Sequence, residues 1–476
     1  MENRFIIVFS LFTFLVSFGQ EKISGFSPKD KGRKDVFAIV NEADKKTALF
    51  FIDKTSLKVS QFNENMQLID SLGINFSKKE VNDIIGHSLS KNQYFIYWTG
   101  SNSKEIVAQC FDFEAKKTLS HTIPFDKGKE KIINQFTQNN IFYIITTTRS
   151  SNVLNIYKFV DGKLEKNTAD GTELKFFSDG KLTTFWDMYT ESSGMVYRDG
   201  LRNISAETTP SLVLSTHKKK TYSIDNKLVF TFDINNNFTQ MLTLDLSNFK
   251  LSQKLYTKPY TKKDDFQTYD SNSFLINNHL IQIKTSPTVL YLSVKDLEGN
   301  EIKSIKQEQD TPVAFKNSEI IQEDGSIKDQ KILEKSNQFI RKTNNLNPSI
   351  SGFFKDGKYH LVIGGVSYPK QDAVMLGGLI GGFTGALIAS AFSSNYSVDN
   401  LNSYRNKRVV YIYSIFDKNF NHVSGDSEKT AFDKLRSFSE QNTELINQTI
   451  FKLDSKLFFG AYNKNTNEYS FYKFQE

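Results

Sequence analysis

Short runs of apolar residues recur along the chain, and each begins directly after a residue typical of turns. The runs mix aliphatic and aromatic side chains, which suit a pleated, half-buried strand. Seven copies begin at Lys46, Asn92, Asn140, Asn226, Asn278, Gly357 and Ser455. Most lead into a second run, a short turn rich in Asp, Asn and Gly, and a third run, as in 157–164. Because these turn residues tolerate positive φ, the pattern predicts an all-β fold of hairpins.

The spacing of the repeated runs indicates how the hairpins are grouped. Successive copies lie 46, 48, 86, 52, 79 and 98 residues apart, so the unit is close to 50 residues and three intervals carry insertions. Meanders of about four strands with a period of ~40–50 residues are typical of β-propellers. The sequence therefore predicts a propeller of about seven blades, with an array of β-sandwiches as the alternative. The chain ends after the second strand of its last unit, and we expect residues 22–26 to supply a closing outer strand, since bare sheet edges are a liability.

The N-terminus has the pattern of a secretory signal. Arg4 precedes an uncharged apolar stretch at 5–16, and Ser17 to Gly19 form a cleavage pattern of small residues. The expected organisation is a signal peptide at 1–19, propeller segments at 20–370 and 400–476, and an insertion at 371–399. With its repeats and its glycine-zipper insertion, the chain resembles exported β-propeller-like proteins of Gram-negative bacteria, although no named family is matched. The resemblance implies the periplasm, an outer-membrane association or the cell surface.

The insertion contains the most unusual segment of the sequence. Residues 373–392 carry no charge, and as a helix they span ~30 Å. Small residues recur every four positions, which allows close approach of helices. The candidate association residues of this glycine zipper are Gly377, Gly378, Gly381, Gly382, Gly385 and Ala389. Its expected partner is a membrane, a membrane protein or a second copy of the chain. The flanking strands, 359–366 and 408–416, should pair in one sheet, which argues against a single membrane crossing.

A second insertion, 166–212, contains aromatic residues among Gly, Ser and Thr. Trp186, Tyr189 and Tyr197 are candidate ligand-binding aromatics, because function tends to lie on loops held by a rigid scaffold. Packing between two sheets is an equally good explanation of these three residues.

Composition and motifs exclude several functions. The 476 residues include 60 Lys and Arg and 53 Asp and Glu, and a net charge of +7 is too dilute for a dedicated nucleic-acid binder. The basic runs at 218–220 and 405–408 are expected to be solvated loops. Cys110 is the only cysteine, so the sequence offers no disulfide framework and no multi-cysteine metal site. No catalytic motif, metal-ligand spacing or cofactor fingerprint is recognisable, which favours a protein without catalysis.

These observations leave two functions. The first is a non-enzymatic cell-envelope scaffold that attaches through the glycine zipper to a membrane, a membrane complex or itself. The second is a propeller enzyme of hydrolase type, or a glycan-binding module, that uses a central pocket and the 166–212 loop. Aromatic and carboxylate side chains clustered at one end of the sheets would favour the second function.

Overall fold

The computed structural model describes twelve segments of the chain. They are residues 20–27, 35–53, 55–76, 81–100, 104–178, 180–191, 201–205, 210–259, 269–367, 398–427, 429–454 and 456–474. Within them the fold is all-β, as predicted, with seven sheets of four or five strands and one two-stranded sheet.

The first half of the chain forms three meanders of four antiparallel strands. After β1 (Gln20–Phe26), sheet I contains β2 (Asp35–Asn41), β3 (Lys46–Ile52), β4 (Ser56–Phe62) and β5 (Leu68–Asn75). Sheet II contains β6 (Val81–Ser90), β7 (Gln93–Gly100), β8 (Glu105–Asp112) and β9 (Lys117–Pro124). Sheet III contains β10 (Lys131–Gln138), β11 (Ile141–Thr147), β12 (Leu154–Val160) and β13 (Lys163–Ala169). The small sheet β14 (Phe176–Ser178) and β15 (Lys181–Thr183) and helix α1 (Phe185–Thr190) follow.

In its described segments, the second half adds four sheets and four short α-helices. Sheet IV contains β16 (Arg202–Ser205), β17 (Lys219–Ile224), β18 (Lys227–Phe232), β19 (Phe238–Asp245) and β20 (Leu251–Thr257), with α2 (Leu212–Ser215) before β17. Sheet V contains β21 (Asp270–Ile276), β22 (His279–Thr285), β23 (Val289–Asp296) and β24 (Glu301–Glu308). Sheet VI contains β25 (Ile320–Asp324), β26 (Gln330–Leu333), β27 (Asn347–Lys355), β28 (Lys358–Val366) and β29 (Arg408–Asp417), with α3 (Ser336–Asn345) and α4 (Val398–Leu401) in its connections. Helix α5 (Ala431–Gln441) leads to sheet VII, which contains β30 (Leu445–Leu453), β31 (Lys456–Asn463), β32 (Glu468–Phe474) and β1.

The turns have the chemistry that the repeat predicts. Asn139 and Asn140, between the first two strands of sheet III, have φ of 50° and 62°. Asn277 and Asn278 occupy the same place in sheet V with φ of 44° and 62°. Two successive positive φ values match the twist of an antiparallel pair, which is why Asn recurs at these positions.

Consecutive sheets bury their faces against each other. Large apolar clusters join sheets I and II, II and III, III and IV, and IV, V and VI. Another cluster joins sheet VII to sheet I. Helices α4 and α5 contribute to apolar clusters with sheets VI and VII, and Leu435 and Phe438 of α5 pack against sheet VII.

Sheet VII is completed from the other end of the sequence. β1 pairs antiparallel with β32, from Gln20 opposite Phe474 to Phe26 opposite Tyr469. The ring of Phe26 lies 5.2 Å from that of Phe62 in sheet I and 5.6 Å from that of Tyr469. The expected N-terminal outer strand is therefore confirmed, and it starts two residues earlier than predicted.

The strands on either side of the glycine-rich insertion pair as predicted. β28 and β29 are in register from Lys358 opposite Asp417 to Val366 opposite Val409. Beyond the last pair, the amide of Ser367 donates to the carbonyl of Arg408 at 2.8 Å. The hairpin that flanks the insertion is therefore intact up to Ser367 and Arg408. None of the helices in the described segments is both long and apolar enough to cross a bilayer.

Candidate ligand-binding face

Polar and charged side chains gather where sheets IV, V and VI begin. Strands β17, β21 and β27 of these sheets start side by side, because Lys218 contacts Asp270 and the side-chain amide of Asn272 donates to the carbonyl of Pro348 at 3.1 Å. We call this end of the sheets the upper end. It carries two groups of residues that bear on function.

The first group is a lysine–aspartate network between sheets IV and V, centred on Asp233. This carboxylate follows β18 and is fully buried. Its oxygens lie 3.1 Å from Nζ of Lys258 and 3.2 Å from Nζ of Lys220. They also accept hydrogen bonds from the hydroxyls of Thr239 at 2.7 Å and Ser273 at 2.6 Å. Both oxygens of Asp233 are therefore fully occupied.

The electrostatics of the network follow from its burial. Desolvation alone would raise the pKa of Asp233, but the two lysine ammonium groups hold this pKa well below its usual range. Burial lowers the pKa of Lys258 to about 8, and Asp233 opposes that shift only in part. A charge removed from water in this way must be paired and hydrogen-bonded to persist. The network is thus a tightly coupled ionic centre, surrounded by buried polar side chains such as Ser271 and Asn272.

One lysine beside this network has no such pairing. Lys284, near the end of β22, is 5% exposed and lies opposite Ser271 of β21. Within the described part of the chain, its Nζ has no hydrogen-bond acceptor and no carboxylate within ion-pair distance. The ring of Tyr269 lies beside it, with the ring centroid 5.3 Å from Nζ. Burial lowers the pKa of Lys284.

The second group surrounds α1, on the opposite side of β17. Thr184 caps the helix. Its hydroxyl donates a hydrogen bond to the carboxylate of Asp187, which holds the pKa of that carboxyl below its usual range. The amide of Phe185 donates to the side chain of Asn152 at 2.7 Å, which fixes the helix to sheet III. At the other end, Nζ of Lys219 donates to the carbonyl of Tyr189 at 2.6 Å. The helix is therefore held at both ends by the sheets on either side of it.

This helix presents two aromatic rings and an unsatisfied carboxylate. Trp186 and Tyr189 are each half-buried, and their ring centroids lie 6.4 Å apart. Tyr189 also packs against the core of sheets III and IV, as the packing explanation requires. Just after the helix, Oε2 of Glu191 is buried and accepts no hydrogen bond from the residues that the structure describes. A buried carboxylate oxygen without a donor is costly, which makes this atom a candidate acceptor for a ligand hydroxyl.

The predicted site residues have different outcomes. Trp186 and Tyr189 lie together on α1, whereas Tyr197 lies outside the described residues. So do the glycine-zipper residues Gly377, Gly378, Gly381, Gly382, Gly385 and Ala389.

The basic run at 218–220 was expected to be a solvated loop, and that prediction is wrong. Lys218, Lys219 and Lys220 are 8%, 1% and 0% exposed. They can be buried because the Nζ atom of each has an acceptor: Asp270 for Lys218, the end of α1 for Lys219, and Asp233 for Lys220. The partners come from three separate parts of the sequence, so nothing within the run itself indicates them.

The described segments contain no candidate metal site, because no three His, Cys, Asp or Glu side chains are grouped there so that they could hold a metal ion.

No protein-family model and no curated protein matches the sequence. Among solved structures, the chain is similar to a chimera of apocarotenoid oxygenase and RPE65, and to a variant of the apocarotenoid oxygenase of Synechocystis. In both cases the identity is 8% and the TM-score 0.29, and the match covers 58% of this chain and 61% of the other. The match thus spans about 61% of the length of these structures.

The comparison corrects one expectation. A non-enzymatic cell-envelope scaffold was expected, but the proteins found are oxygenases, which are enzymes, so the scaffold function is not retained. At this identity and TM-score, the likeness transfers neither a fold nor a reaction to this chain.

Proposed function

We propose that the seven larger sheets are the blades of a closed β-propeller. The shared apolar clusters between consecutive sheets support this arrangement, as do α4 and α5 between sheets VI and VII. The pairing of β1 with β32 supports closure of the ring. Removing residues 20–27 should lower the melting temperature, because it bares the edge of β32 and removes Phe26 from the contact between sheets VII and I. Unchanged melting would contradict a ring closed by this strand.

We propose further that the protein is exported and recognises a carbohydrate at the upper end of the sheets. The observation that carries this proposal is the half-exposed Trp186–Tyr189 pair beside the unsatisfied oxygen of Glu191. Flat aromatic rings suit the C–H faces of sugars, and a buried acceptor suits a sugar hydroxyl. Rigid support of α1 by sheets III and IV keeps the rings in place without a cost in side-chain order.

Binding is tested by calorimetry with soluble hexasaccharides of cellulose, chitin and xylan. Trp186→Ala should weaken binding of the preferred oligosaccharide by at least tenfold, and Glu191→Gln by less. Phe354→Ala is the matched control, because Phe354 is an aromatic residue at the far end of β27 and is 39% exposed. Absence of binding to all three, or equal affinity of the native and Trp186→Ala proteins, would contradict the proposal. Release of reducing ends by the native protein would add hydrolysis to recognition.

The partner of the glycine-rich insertion is a separate proposal that rests on the sequence. We propose that 373–392 contacts a membrane, a membrane protein or a second copy through its small residues. The pairing of the flanking strands up to Ser367 and Arg408 favours an insertion that goes out and returns on the same side. Gly381→Leu should then abolish association while Gly381→Ala does much less, because close helix approach requires a small side chain. The cross-linked and membrane-bound fractions of the three proteins measure this, and equal fractions would contradict it.

A further inference from the structure

Lys284 has a largely buried side chain whose ammonium group the described residues do not pair. Its side chain lies on the face of β22 that is turned towards sheet IV, because Gln282, two residues earlier, donates to Oγ1 of Thr239 at 3.0 Å. The residue is 95% buried, yet its ammonium group has no acceptor in the described part of the chain. Taking an ammonium group out of water is unfavourable unless an opposite charge compensates.

The neighbouring carboxylates are already engaged. Both oxygens of Asp233 bind Lys220, Lys258 and two hydroxyls. Oδ1 of Asp270 lies 2.6 Å from Nζ of Lys218 and also accepts the amide of Ser271. Neither aspartate contacts Lys284, so the protein supplies no counter-charge there within the described segments.

The ring of Tyr269 does not replace a counter-ion. An ammonium group at 5.3 Å from a ring centroid is attracted to the ring, but its charge is not neutralised. Tyr269 and Asp270 are themselves half-exposed, so the ammonium group lies near the surface of the upper end. A small ligand can therefore approach it from solvent beside the aromatic ring.

We propose that Lys284 binds an anionic oxygen group, a carboxylate, sulfate or phosphate, at the upper end between sheets IV and V. The bound anion accepts from Nζ and lies beside the edge of Tyr269. This site is separate from the one at α1, because Lys219 faces the helix from the other side of β17. It therefore stands whether or not the protein recognises a carbohydrate.

The test compares acetate, sulfate and phosphate with chloride at equal ionic strength. At least one oxyanion should raise the melting temperature of the native protein above its value in chloride, because a ligand that binds only the folded state stabilises it. Phosphate binding is then measured directly by broadening of its ³¹P resonance, and sulfate and acetate by competition with phosphate.

Three variants make the result specific. Lys284→Met should weaken oxyanion binding at least tenfold, and Lys284→Arg should retain most of it, since the charge is kept. Lys306→Met is the control, because Lys306 is an exposed lysine of the same sheet with a side chain 51% exposed.

The affinity for the oxyanion should also fall as the pH is raised, because only the protonated amine attracts an anion. This loss should occur at a lower pH than it would for an exposed lysine. Equal effects of the three oxyanions and chloride on the native protein would overturn the proposal. So would native-like binding by Lys284→Met, or a loss in Lys306→Met as large as in Lys284→Met.

Discussion

The interface between sheets I and II and the interface between sheets IV and V are built on different principles. The first is apolar and aromatic: the ring of Phe50 stacks on Phe37 at 4.9 Å and meets the edge of Phe111 at 5.5 Å. The second carries a fully buried carboxylate with two buried lysines at its upper end, and apolar contacts such as Tyr222 with Phe274 further down. The same meander thus supports two kinds of core.

The two interfaces differ in their electrostatic cost. An apolar contact satisfies a sheet face at no electrostatic cost, whereas a buried ion pair often contributes no more than hydrophobic residues of the same volume. The lysine–aspartate network is therefore not expected to stabilise the fold more than apolar residues of the same volume would. Its position beside Lys284 and β17 agrees with a role in shaping the upper end.

The largest expected effect is that of Asp233→Ala. Removing this carboxylate leaves Lys220 and Lys258 buried without their counter-charge, which should lower the free energy of unfolding by about 3–5 kcal/mol. Urea denaturation at neutral pH measures this. The matched control replaces all three charges, as Asp233→Leu with Lys220→Met and Lys258→Met, and should recover most of the loss. A triple variant less stable than Asp233→Ala would show that the network is a net stabiliser and would remove the contrast between the interfaces.

The pH dependence of stability should also differ between the two interfaces. The pKa of Lys258 is lowered to about 8 in the folded protein and returns to about 10.5 on unfolding. Between these values the unfolded chain binds more protons, so the contribution of Lys258 to stability is present above pH 10.5 and is lost as the pH falls through about 8. Relative to Lys258→Met, the native protein should gain about 3 kcal/mol across that window. A constant difference between the two proteins would mean that Lys258 is not perturbed.

The sequence predicts one of these interfaces much better than the other. Alternating apolar runs and Asn turns such as Asn139–Asn140 indicate the strands, because strand period and turn conformation are local properties. The same patterns indicate the apolar faces of Phe50 and Phe111. The contacts of Asp233 instead join residues from β17, β19, β21 and the end of β20, and no local pattern encodes such a meeting. The sequence alone therefore predicts that Lys220 is part of a solvated basic run.

A smaller effect separates charged from neutral hydrogen bonds. Ser273→Ala removes a 2.6 Å hydrogen bond to the carboxylate of Asp233 and should cost about 1.5–3 kcal/mol, because bonds to charged groups are the stronger ones. Tyr94→Phe removes the neutral bond from Gln61 in the interface of sheets I and II, at 3.4 Å, and should cost about 0.5–1.5 kcal/mol. Denaturation of both variants gives the comparison. Equal losses would indicate that the carboxylate is less desolvated than its burial implies.

A comparably small effect is expected from Phe50→Leu in the apolar interface. Phe50 is fully buried, and leucine keeps an apolar surface there while leaving part of the ring volume unfilled. Cores tolerate exchanges between apolar residues of similar size, so the loss should be about 1–1.5 kcal/mol. Phe50→Ser, at the same position, should lower the free energy of unfolding far more. An unpaired hydroxyl would then replace the ring between Phe37 and Phe111. If Phe50→Leu were as damaging as Asp233→Ala, the aromatic interface would depend on ring geometry as strictly as the ionic one depends on charge, and the two interfaces would not differ in tolerance.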